Sequence, residues 1–146
     1  MAKEIRTEIV IQANKEQIWE VLTNFEEYPE WNPFIQSIAG PIVKGGKLEV
    51  KIVPPNSKGM TFKPTINELE VNTQLTWLGS VLIKGLFDGA HQFELIDNKD
   101  GTTTFFHSEV FKGILTPLFG KKFKTNTKIG FEQMNIKLKE RVEKHN

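Results

Sequence analysis

The stretch "DGAHQFELIDNKDGTTTFFHSEVFKG", residues 88–113, consists of two runs of alternating polarity on either side of a cluster of turn formers. "DNKDG" bends the chain, with Gly101 supplying a positive φ at no steric cost, so the flanking runs read as an antiparallel hairpin. Side chains alternate along a strand. His91, Phe93 and Leu95 therefore share one face, and Phe105, His107, Glu109 and Phe111 share one face of the next strand. A three-residue turn centred on Lys99 pairs Leu95 with Thr103, and hence His91 with His107, placing both odd-numbered sets on one side of the sheet. The phenylalanines mark that side as the inner one. Two histidines and a carboxylate then meet in an aromatic-lined concavity.

The rest of the chain extends this hairpin into a sheet. "EIRTEIVIQA" sets Ile5, Thr7, Ile9 and Ile11 on one side with period two, which predicts a first strand. Asn14 caps a helix over "KEQIWEVL", with Gln17 at capping-box spacing and Ile18, Trp19, Val21 and Leu22 on its apolar stripe. "FEEYPEWNPF", residues 25–34, stops that helix, because Pro29 and Pro33 each lack a backbone donor. Strands are expected at 34–39, 47–53, 60–71 and 73–81 before the hairpin. From about Leu115 a long helix runs nearly to the end. Phe123, Thr127, Phe131, Met134, Leu138 and Val142 form its stripe, and Gly120 and Gly130 weaken or bend it. The order predicts one α+β domain over 1–146: an antiparallel seven-stranded sheet, two short helices between strands 1 and 2, and a long C-terminal helix.

Composition excludes several function classes. Net charge is +1, from 19 basic and 18 acidic residues in 146, so no strong field recruits nucleic acid. The absence of cysteine rules out disulfides, thiolate metal sites and cysteine nucleophiles. "MAKEIRTEIV" is not a secretory signal, and no window reaches the ~20 apolar residues of a membrane span. A cytoplasmic monomer or homodimer without integral membrane association is expected. "GPIVKGG" lacks the context of a phosphate loop, and Ser80 and Ser108 sit in no nucleophile elbow. No cofactor or metal is expected.

The segments "ANKEQIWEVLTNFEEYPEWNPF", "DGAHQFELI" and "DGTTTFFHSEVFKGIL", together with the closing helix, resemble the SRPBCC superfamily of START-related and birch-pollen-allergen-like proteins. The chain is most similar to small bacterial polyketide cyclase/dehydrase-like members. Their "YPxWNPF" is matched by Tyr28, Pro29, Trp31, Asn32, Pro33 and Phe34, and their "HxFxL" and "HxExFxG" by His91, Phe93 and Leu95 and by His107, Glu109, Phe111 and Gly113. The resemblance implies a helix-grip fold: a curved sheet wrapped around the C-terminal helix, with an elongated cavity between them. It also implies that the short helices close one end of the sheet.

Against that expectation, Trp31 and Phe34 either seal the core or form the cavity wall, with Asn32 capping backbone groups at the turn. Ligand contacts are expected from Trp77, Phe93 and Phe111 on the strands and from Phe131 and Met134 on the helix. Phe87 lies in the apolar connection "GSVLIKGLFDG", which is either a gate over the cavity or an edge hairpin. His91, His107 and Glu109 have three open roles: a buried structural cluster, polar recognition of a ligand, or acid/base catalysis; they also approximate a two-histidine, one-carboxylate metal set, but no motif marks one. Lys121, Lys122, Lys124 and Lys128 read as a solvated face. A dry cavity of ~300 Å³ would cost about 7 kcal/mol, so any cavity is wetted or occupied. The leading expectation is binding of a small hydrophobic or amphipathic molecule that is lipid-like, polyketide-like or aromatic. The alternatives are a cyclase/dehydrase-type enzyme using the His/Glu group, and a protein-interaction module of the chaperone-activator type.

Overall fold

The computed structural model of the chain describes residues 3–80, 85, 88–114, 116–118 and 120–144. The first strand, β1 (Lys3–Ile11), leads through the Asn14 capping box into α1 (Lys15–Thr23). Asn14 Oδ1 accepts from Gln17 N–H at 2.9 Å, and Gln17 Oε1 accepts from Asn14 N–H at 3.1 Å. A 3₁₀ turn (Phe25–Glu27) and a one-turn helix, α2 (Tyr28–Trp31), follow, with Pro29 tolerated in the first turn, where no helical donor is needed. The strands are β2 (Ile35–Ala39), β3 (Glu49–Ile52), β4 (Met60–Phe62), β5 (Thr65–Glu70), β6 (Gln74–Ser80), β7 (Asp88–Asp97) and β8 (Thr103–Lys112). The chain closes with α3 (Lys121–Lys144).

Among the described residues there are thus eight strands rather than seven. The stretch expected as one strand over 60–71 divides at Lys63-Pro64. Pro64 has no N–H for a ladder, and here the chain leaves one hydrogen-bonded group for another. β4 completes a three-stranded group, β2-β3-β4, whereas β5 is the edge of a five-stranded group, β1-β8-β7-β6-β5, all antiparallel. A bridge between Lys47 and Thr65, with Leu48 N–H donating to Pro64 O at 2.9 Å, joins the two. The result is a curved antiparallel sheet with α3 packed in its concave side, the helix-grip fold.

The central hairpin differs from its expected register. The closing pair is Asp97–Thr103, and five residues, Asn98 to Thr102, form the loop. Lys99 (φ 62°) and Gly101 (φ 91°) are both left-handed. Asp97 Oδ1 accepts from Lys99 N–H and Asp100 Oδ1 from Thr102 N–H, which stabilises the wider turn. His91 therefore faces Glu109, and Phe93 faces His107. The slip is two residues, an even number, so the inner set stays on the inner face.

The helix also begins later than expected. Thr116–Leu118 is a 3₁₀ turn around Pro117, and α-helical bonding starts only at Lys124 N–H to Gly120 O, 3.2 Å. From Thr127 onward, Phe131, Met134, Leu138 and Val142 are buried, as the stripe predicts, and Asn135 is buried with them. Arg141 at the far end reaches Glu27 at 2.5 Å and Glu30 at 3.3 Å, tying α3 to the α2 region.

Candidate functional site

The cavity is formed where the sheet is poor in large side chains. Gly79 on β6 pairs with Gly89 on β7, both inward, leaving a gap in the wall of rings. A cavity of about 560 Å³ opens there, between the sheet and the first turns of α3. Among the described residues its apolar walls come from Phe34, from Val50 and Ile52 on β3, and from Met60 and Phe62 on β4. Trp77 and Phe111 complete them from β6 and β8. The helix contributes Lys122, Phe123, Asn126 and Thr127, and Asn126 Nδ2 donates to Pro55 O at 2.8 Å, anchoring α3 to the segment after β3. Glu109 is the one carboxylate of the described lining.

Behind Glu109 runs a buried polar chain. Glu109 Oε1 lies 3.2 Å from His91 Nδ1; His91 Nε2 lies 2.8 Å from His107 Nε2; and His107 Nδ1 lies 2.9 Å from Asn135 Oδ1. Asn135 Nδ2 donates to Thr7 Oγ1 at 2.8 Å, and Thr7 Oγ1 donates to His107 O at 2.8 Å. The backbone carbonyl fixes the direction of the whole chain, because it can only accept. Thr7 gives its hydroxyl proton to that carbonyl, so its oxygen takes the Asn135 N–H, and Asn135 turns its carbonyl to His107. His107 Nδ1 carries the proton, its Nε2 is a bare acceptor, and His91 Nε2–H donates to it. The remaining hydrogen bond, between His91 Nδ1 and Glu109 Oε1, takes one proton, on the ring or on the carboxyl.

Packing holds both rings in place. His107 stacks on Phe131 with centroids 4.0 Å apart and planes 2° from parallel. His91 lies stacked on Trp77 at 4.9 Å and 13°. Burial, reinforced by the neighbouring His91, holds the His107 imidazole well below its ordinary range. It is neutral, as the hydrogen-bond directions require. The two Nε2 atoms sit at a hydrogen-bond distance, whereas two nitrogens on one tetrahedral zinc lie about 3.3 Å apart. Among the described residues no group of three metal-ligating side chains is placed around an ion.

Four of the residues expected to touch a ligand, Phe34, Trp77, Glu109 and Phe111, line the cavity. His91, Phe93, His107, Phe131 and Met134 are buried beside it in the core and are not in the described lining. Trp31 packs edge-on against Tyr28 at 5.1 Å, in the cluster that seals the α2 end. Asn32 caps that turn, its Oδ1 accepting from Phe34 N–H and Ile35 N–H. Phe87 and the rest of 81–87, apart from Gly85, lie outside the described residues, and the alternatives of gate and edge hairpin lie with them. Asn135 and Thr7 join the polar chain without having been singled out from sequence. The available signal was an amide in the middle of the apolar stripe of α3, one turn beyond Phe131. Lys122, expected on a solvated face, belongs to the cavity lining while remaining exposed.

Residues 2–143 match the family model described as polyketide cyclase / dehydrase and lipid transport. The chain belongs to that family. Among solved structures, the Zhui aromatase/cyclase of Streptomyces sp. R1128 superposes with a TM-score of 0.79 at 11% identity, covering 99% of this chain and 96% of that one. A START superfamily protein of Mycobacterium smegmatis gives 0.76 at 17% identity, covering 98% and 99%. Ara h 8.0201 gives 0.74 at 17%, covering 99% of each chain. At such identities these likenesses establish the fold. No curated protein matches the chain. No helix among the described residues is long and apolar enough to cross a membrane.

Proposed function

We propose that the protein binds a small hydrophobic or amphipathic molecule, lipid-like, polyketide-like or aromatic, in the cavity between the sheet and α3. One observation carries this reading: a cavity of about 560 Å³ with aromatic and aliphatic walls holds one carboxylate, backed by a buried polar chain. Left dry, that volume would cost on the order of 10 kcal/mol, comparable with the whole stability of a domain, so it is filled by water or by a ligand. A ligand that displaces water from apolar walls gains roughly 25 cal/mol per Å² buried. Glu109 orients its polar end.

Native mass spectrometry of freshly purified protein tests the proposal, with Thr127→Trp, which fills the cavity from α3, as the control. The expected result is a bound mass on the wild type that the variant lacks. A wild type that carries no added mass, and binds none of a panel of naphthols, fatty acids and polycyclic phenols at micromolar concentration, overturns it.

The family description supports a second reading, an enzyme of the cyclase/dehydrase type. The specific feature in its favour is that Glu109 reaches the cavity and lies 3.2 Å from His91 Nδ1, a carboxyl–imidazole pair of the kind that serves in acid/base chemistry. Conversion of a bound polyketide-like compound by wild type, slowed ~10²–10⁴-fold in Glu109→Gln with affinity nearly intact, would select the enzyme over the binder.

A further inference from the structure

The hydrogen-bond directions of the buried chain bear on which polar group the cavity accepts. Proton positions are set from the far end, at the Thr7 hydroxyl and the His107 carbonyl, and pass bond by bond to Glu109. The shared proton lies on the side of Oε1, facing His91. The other oxygen, Oε2, has no hydrogen-bond partner among the described residues and lies over Gly89, itself part of the cavity wall. Oε2 is therefore a lone-pair site in both protonation arrangements of the pair. For it to carry the proton, His91 would have to donate from Nδ1 and turn a bare Nε2 towards the bare Nε2 of His107. Avoiding that clash means reversing His107, Asn135 and Thr7 together and setting a lone pair of Thr7 Oγ1 against the His107 carbonyl oxygen.

We infer that the inner end of the cavity selects ligands whose terminal polar group donates a hydrogen bond, a hydroxyl, phenol or N–H, over groups that only accept, and that Gly89 is the residue that keeps the accepting oxygen in place. An ether, ketone or ester in that position meets lone pairs with lone pairs. Gly89 acts through space. A Cβ built there would stand 2.3 Å from Glu109 Oε2 and 3.7 Å from the Phe111 ring. Its φ is not left-handed, so alanine is compatible with the backbone, and the side chain that must yield is the mobile end of Glu109. Gly89→Ala thus moves the carboxylate without changing its chemistry.

The inference rests on the cavity being the binding site, and calorimetric titration with 2-naphthol and 2-methoxynaphthalene separates the two claims. These compounds share a ring system and differ in whether the oxygen donates. The quantity read is the ratio of their affinities in wild type and in each variant, which cancels their different hydrophobicities. Gly89→Ala should lower the preference for the naphthol about tenfold, as should Glu109→Leu, which serves if the alanine variant does not fold. Tenfold corresponds to about 1.4 kcal/mol. Glu109→Gln should keep the preference, since its amide N–H donates to His91 Nδ1 and its carbonyl takes the place of Oε2. An unchanged ratio in Gly89→Ala and Glu109→Leu, with both compounds still bound, overturns the donor selectivity and leaves the cavity reading standing. Failure of the wild type to bind either compound overturns the inference together with the cavity as a binding site for such molecules.

Discussion

The two ends of the space between sheet and helix are built from the same elements and differ in side-chain volume. At the end near the 98–102 turn, Leu75, Phe93, Leu95 and Phe105 from three adjacent strands meet Phe131 and Leu138 of α3, each with 2% exposure or less. A few residues along the same strands, Gly79 and Gly89 stand where those rings would be, and α3 presents Asn126 and Thr127. One end is filled and the other is hollow. Neither the backbone nor the topology decides which; the residue sizes at inward positions do, through close packing where the volumes match and a void where they do not. The polar chain lies at the boundary, with Glu109 on the hollow side and Asn135 and Thr7 on the filled side.

The largest expected effect tests this contrast directly. Phe131→Ala should destabilise the protein by about 3–5 kcal/mol in urea denaturation, because it opens a cavity under His107 and Phe34 where nothing can collapse. Phe123→Ala, on the same helix but at the hollow end and only partly buried, should cost under about 1.5 kcal/mol. Equal losses would mean that the two ends are packed alike.

A smaller effect tests the polar boundary. His107 is neutral in the folded protein with its basicity depressed by burial, against an ordinary value of 6.5. The sign follows from proton counting. Below about pH 6.5 the unfolded chain takes up a proton on His107 that the folded chain refuses, so this contribution to stability is complete above that pH and is lost as pH falls. Between pH 7.5 and 5.5 the loss is on the order of 1 kcal/mol for one such proton. His107→Gln can keep both neighbours, accepting from His91 and donating to Asn135, but cannot titrate. Relative to this variant, the wild type should lose about that amount over the interval. Parallel pH profiles would show that His107 is protonated in the folded state and that the assigned hydrogen-bond directions are wrong.

Most of the filled end was legible in the sequence, and most of the hollow end was not. Alternation and a three-to-four-residue stripe are signals of apolar periodicity, and they placed Phe93, Phe105, Phe131 and Leu138 inside. They are insensitive to a two-residue register slip, which is why the inner face of the hairpin was read correctly although His91 faces Glu109 rather than His107. A cavity, in contrast, is made by what is missing. Gly79 and Gly89 sit 10 residues apart in the chain and matter because they are paired across strands, a fact of register that periodicity does not carry. Pro64 falls inside a run that alternation makes one strand, although its missing donor marks the place where the sheet changes partner. Asn135 is a polar residue in an apolar stripe, and its partner Thr7 lies 128 residues away in the chain.

Gly130 gives the comparison its finest test, because sequence and structure predict opposite signs. Read from the sequence, a glycine in the interior of a 24-residue helix is a weak point, and alanine should stabilise by about 0.5–1 kcal/mol through propensity. In the fold, Gly130 lies on the face of α3 that meets Phe34. A Cβ there would stand 2.5 and 2.7 Å from two atoms of that ring and 3.4 Å from Pro55. The ring has little room to give: it packs edge-on against Phe131 at 5.3 Å and against His107 at 6.4 Å, and its residue is 1% exposed. Overpacking at such a site costs about 1–3 kcal/mol, which outweighs the propensity gain. Gly130→Ala should therefore destabilise by about 1 kcal/mol, measured by the urea midpoint. Since Phe34 also forms part of the cavity wall, its displacement should lower the affinity for 2-naphthol as well. A variant that is more stable than the wild type and binds equally well would mean that Phe34 yields freely, and that the boundary between the filled and hollow ends is soft.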